Sequence, residues 1–158
     1  MDGIHKSIFL WGLICLVGFG MYQGIVDMRV FPPLVVWSVL VVVGIAGMVL
    51  WVPNWMKNKV VHVWLAVNIL GMAYHWLAML GMAPIAITSP WAYWAFLMAL
   101  GFIGTGYFWK SNFYYGVGVL NAIAFVLLMF TPNMVGMYPN ALLAIVSGIP
   151  LMYDGLKG

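Results

Sequence analysis

Six apolar runs, separated by short polar or proline-bearing breaks, make up the chain: residues 7–28, 34–52, 60–82, 91–109, 113–130 and 141–156. Most come close to the ~20 residues an α-helix needs to cross a hydrocarbon core of ~30 Å. The breaks are explicit. Asp27 ends the first run with Arg29 and Pro32-Pro33 after it, Pro53-Asn54 with Lys57 and Lys59 follow the second, and Lys110-Ser111-Asn112 the fourth. The turns at residues 83–90 and 131–140 are uncharged. Proline cannot be accommodated in an unperturbed helix interior, because it lacks the N–H and clashes with the preceding turn. The last run is short and contains Pro150, so it is expected to be a kinked sixth span or a re-entrant segment. The first run has no small-x-small cleavage site and is expected to be a retained span.

The pattern predicts an all-α integral membrane protein, a single transmembrane domain over residues 1–158 forming a six-span helix bundle. A shift that lays Pro53-Asn54 on Pro132-Asn133 and Tyr74 on Tyr153 suggests a weak three-plus-three inverted repeat.

Composition supports this class. The chain is 66% hydrophobic and only 6% charged, against about 25% charged in soluble domains. Lys6, Lys57, Lys59, Lys110 and Lys157 fall on one side of the expected spans and Arg29 on the other. By the positive-inside rule both termini are cytoplasmic in a prokaryotic cell membrane. No basic run points to nucleic acid, and bound lipid is expected. Cys15 is the only cysteine, which excludes an internal disulfide and a CxxC site.

Candidate chemistry is sparse. No Asp, Glu, Lys or Arg lies in the body of a span, so a carboxylate pair cannot be assembled there, and the chain is expected not to be catalytic by itself. On the third run Asn68, Met72, His75, Met79 and Met82 share one stripe at 100° per residue. Met72, His75 and Met79 are soft donors that suit Cu(I), or a single His/Met haem. A bis-histidine di-haem site is excluded, because the only histidine besides His62 and His75 is His5. Asn58, His62 and His75 resemble, in spacing, a ligand run in the C subunit of copper membrane monooxygenases. An unbroken helix, however, separates His62 and His75 by about 20 Å at 1.5 Å per residue, too far to hold one metal.

Asn68, Asn121 and Ser147 fall near the centres of the third, fifth and sixth runs, where an amide must be hydrogen-bonded or wet. Asn68 and Asn121 are expected to face one another with Ser147 close by, as a midplane polar cluster. Gly20 with Gly24, and Gly101 with Gly104, are expected to allow close helix packing.

Two functions follow as expectations. The first is a small, mainly structural integral subunit of a larger membrane complex, respiratory or copper-monooxygenase in type, partnered by other membrane subunits or by copies of itself. The second is a passive channel for a small neutral solute such as urea, an amide or ammonia. For the channel, residues 71–76, Gly-Met-Ala-Tyr-His-Trp, are loosely similar to a stretch of the urea and amide channel family.

Overall fold

The computed structural model describes residues 2–28, 33–82, 90–130 and 139–157, and among these every regular element is helical. The elements are α1 (Gly3–Met28), α2 (Pro33–Trp51), a 3₁₀ turn (Trp55–Lys57), α3 (Lys59–Met79), α4 (Pro90–Trp109) and α5 (Asn112–Phe130). A sixth rod follows, built from α6 (Pro139–Leu143), a π-helical turn (Ala144–Gly148) and α7 (Ile149–Gly155).

Local chemistry fixes the helix ends. Asp2 Oδ1 accepts the His5 backbone N–H at 2.9 Å and starts α1. Asn58 Oδ1 accepts from Val60 N at 3.0 Å and Val61 N at 3.4 Å, capping α3. Between α4 and α5, Lys110 takes a left-handed conformation (φ 51°), and Ser111 N–H returns to Gly106 O at 3.0 Å. That is the Schellman way of closing a helix, here with lysine where glycine is usual. So short a turn forces α4 and α5 into an antiparallel hairpin.

Consecutive rods are neighbours, and the sixth returns to pack along α1, so the helices close into a ring. Polarity is arranged inside out. Ser7, Asn68, Thr105, Asn121, Asn140 and Ser147 are buried, whereas Val39, Val42, Leu50, Val119, Ile123 and Phe130 are among the exposed side chains. A water-exposed surface has the opposite distribution. Four helices, α1, α2, α3 and α5, are long and apolar enough to cross a membrane. α4 has the length, but its Trp, Tyr and Gly content lowers its hydropathy; the sixth rod is interrupted by its π turn.

One end of the bundle gathers the lysines. Gly3 of α1 abuts the Trp51 carbonyl of α2, Gly155 of α7 abuts Phe9 of α1, and Lys59 Nζ lies 5.5 Å from the Phe108 ring centroid. Lys6, Lys57, Lys59, Lys110 and Lys157 therefore belong to the same end. Arg29 and Pro132-Asn133, and with them the proposed repeat pair, lie outside the described residues.

The glycines expected to pack helices have different surroundings. A Cβ at Gly101 would lie 3.2 Å from Trp64 and Val67, and one at Gly104 would lie 3.2 Å from Val63, so both let α4 approach α3. At Gly20 a Cβ would meet nothing within 4 Å among the described residues, and the surroundings of Gly24 lie outside them. Three glycines mark the crossing of α1 and the sixth rod. There a Cβ at Gly12 would sit 2.5 Å from Met152 N, at Gly148 2.8 Å from Leu16 N, and at Gly155 2.6 Å from Phe9 N. GxxxG counts spacing along one helix, whereas these glycines complement each other across two.

Candidate functional site

Asn121 is completely buried on α5, and its amide is used on both sides. Nδ2 donates to Val117 O at 3.0 Å on its own helix and to Val146 O at 3.3 Å on the sixth rod. Oδ1 accepts from Ser147 Oγ at 2.7 Å. The reason lies four residues past Val146. Pro150 has no N–H to donate to that carbonyl and would clash with it in a regular α-helix. The backbone relaxes into the π turn Ala144–Gly148, and Asn121 supplies a donor to Val146 O. The sequence feature that threatens the sixth rod and the polar residue on α5 therefore belong to one device.

The expected three-residue cluster divides. Asn121 and Ser147 are bonded to each other, but Asn68 Nδ2 donates to Trp64 O at 2.8 Å on its own helix. No hydrogen bond links Asn68 to the other two among the described residues. The cause is the α4–α5 hairpin: α4 packs against both α3 and α5, so equal depth does not bring Asn68 and Asn121 together.

Asn68 instead lines an elongated cavity of ≈ 60 Å³ with residues of α1 to α4. It runs from Ile4, Val52 and Val60 at the lysine end to Phe19, Trp37 and Trp94. Its walls are apolar and rich in tryptophan, and no charged side chain lines it. At the deep end Phe19 and Trp37 lie 4.6 Å apart and Trp37 stacks on Trp94 at 6.1 Å, ring centroid to centroid. On the other side of Trp37 and Trp94 is a second cavity of ≈ 10 Å³, lined by Leu34, Met72 and His75. Asn68 also borders an open apolar groove between α2 and α3, beside Ser38 and Ile69.

His75 is half-buried, with its Nδ1 2.8 Å from Trp94 Nε1. An indole nitrogen can only donate, so His75 Nδ1 presents its lone pair and the ring proton sits on Nε2. The Nδ1 lone pair is thus committed to Trp94 and Nε2 carries hydrogen, so binding copper or haem iron would require this bond to be given up. Met72 shares the small cavity with His75, while the Met79 side chain lies outside the described residues. Among the described residues no group of three His, Cys, Asp or Glu is placed to hold a metal.

Two further contacts escape reasoning from sequence. Trp64 Nε1 donates to Thr105 Oγ1 at 3.0 Å, tying α3 to α4. The buried Tyr114 hydroxyl donates to Asp154 Oδ2 at 2.5 Å, tying α5 to α7 at the lysine end. Lys157 Nζ lies 4.1 Å from the Tyr153 ring centroid nearby. Comparison with known proteins gives no relative: no protein-family model, curated protein or solved structure matches the chain.

Proposed function

We propose that the chain crosses a prokaryotic cell membrane six times, with both termini cytoplasmic, and serves as a small, mainly structural integral subunit of a larger complex of the respiratory or copper-monooxygenase kind. The observation that carries this reading is the contrast among the α1 glycines. Gly12 and Gly18 are pressed against the chain's own helices, while Gly20 is open among the described residues. In a bilayer, helices associate by close packing at small residues rather than by hydrophobic exclusion, so an outward glycine is where a helix of another chain can approach. The interior supports the same reading. Thr105–Trp64, Ser147–Asn121 and Tyr114–Asp154 all hold one helix to another. The sixth rod supports six crossings: residues 139–155 at 1.5 Å per residue extend ~25 Å, close to the core thickness.

A photo-crosslinking residue at position 20 tests this directly. The expected result is one defined adduct with a different membrane polypeptide, absent when the residue is moved to exposed Val42. Adducts with lipid alone would count against it.

The adjoining cavities favour a second reading, a passive path for a small neutral solute, because among the described residues Trp37 and Trp94 line both. Under that reading Trp94→Ala should raise the permeability of proteoliposomes to urea or ammonia. Unchanged flux in both the parent and the variant, at the level of empty vesicles, would dismiss it.

A further inference from the structure

The larger cavity offers an occupant very little to hydrogen-bond. Among the described residues its polar lining is Ser7, Asn58 and Asn68, and two of these are already engaged. Asn58 Oδ1 caps α3, and Asn68 Nδ2 donates to Trp64 O. Of the five tryptophans in the walls, Trp64 and Trp94 give their indole N–H to Thr105 and His75, and the Trp11 nitrogen is sealed inside the protein. The rest of the lining is aliphatic, aromatic or sulfur-bearing, with Cys15, Phe19, Met48, Val61 and Met98 among it.

We infer that this cavity is a binding site for a small apolar molecule, of the size and chemistry of dioxygen, xenon or a light alkane. A buried water needs about 2–4 polar partners, and an apolar cavity stays dry without them. An amide or an ion would give up still more hydration on entering. An apolar molecule gives up none, and it gains dispersion contacts with a wall packed more densely than water. Size follows from the volume: ≈ 60 Å³, when one water needs roughly 10–15 Å³ by this measure, accommodates a molecule of a few heavy atoms and not a porphyrin or quinone ring. A bilayer concentrates such molecules, since apolar solutes leave water for hydrocarbon. The site stands whether the chain is a subunit or a path.

The test is an NMR titration of the full chain, ¹³C-labelled at the methionine methyls, with xenon gas in detergent micelles. Met48 and Met98 line the cavity, and Met48→Leu and Met98→Leu, swaps that conserve volume, identify their signals. Met56 and Met82 are exposed and report xenon dissolved in the micelle. The expected result is a saturable xenon-dependent shift at Met48 and Met98, several-fold larger than at Met56 or Met82. Propane should compete for that saturation, and Val61→Phe, which adds a ring to the cavity wall, should abolish it. The propane competition needs no variant and decides the matter if Val61→Phe does not fold. Formamide, equally small but polar, is expected to move neither cavity signal. Shifts that grow linearly with xenon pressure, that are equal at all four methyls, or that formamide reproduces overturn the proposal, as does the lack of any shift.

Discussion

Asn121→Leu is expected to destabilise the folded chain by about 1–3 kcal/mol, the cost of leaving buried polar groups without partners. The groups stranded are Val146 O and Ser147 Oγ. A single interhelical hydrogen bond in a membrane is worth only ~0.6 kcal/mol on average, so the effect should exceed what losing one bond would produce. Its origin makes it conditional. If Asn121 compensates for the N–H missing at Pro150, then Pro150→Ala restores a backbone donor to the sixth rod, and Asn121→Leu should cost clearly less in that background. Denaturation of the two single variants and the double variant in mixed micelles gives the coupling, expected at roughly 0.5–3 kcal/mol for groups in direct contact. Equal cost of Asn121→Leu with Pro150 and with Ala at that position would show that the amide and the proline are unrelated.

Gly12→Ala and Gly155→Ala are expected to be comparably damaging, each by about 1–3 kcal/mol, the range for overpacked sites. The added methyl would meet backbone atoms of the facing helix, Met152 N and Phe9 N, which no rotamer change can move aside. α1 and the sixth rod must then separate. Gly20→Ala is the informative control. It adds the same atom where the described residues leave space, and alanine is the better helix former, so stability should stay level or rise slightly. Thermal melts of the three variants in one detergent distinguish the sites; matching losses at all three would refute the distinction between inner and outer glycines.

How much of this can be read from sequence depends on whether a feature is set along one helix or between helices. The helix positions are legible, because an apolar run flanked by proline, asparagine or lysine carries its own limits, as at Pro53-Asn54 and Lys110. The burial of Asn68, Asn121 and Ser147 is legible too, since an amide or hydroxyl avoids hydrocarbon on either side of a helix. Pairing is less so. Depth can be counted from a helix end, but the direction in which a side chain points toward its neighbours depends on ring order, which the hairpin at Lys110 decides by placing α4 against both α3 and α5. The link from Pro150 through Val146 to Asn121 needs the π turn, which no periodicity announces. Nor can sequence reveal that Trp64 donates to Thr105 and Trp94 to His75, because both carry the same indole and differ only in what packs beside them.

The most direct test of the structural role is the mass and composition of the native particle. The chain, extracted from its own membranes in mild detergent at natural abundance, is expected to migrate in a defined assembly containing other membrane polypeptides in fixed ratio. Gly20→Ile is expected to release it from that assembly while its melting temperature as an isolated chain is unchanged. A parent chain that runs alone, or only with copies of itself, would contradict the assignment as a subunit of a larger complex.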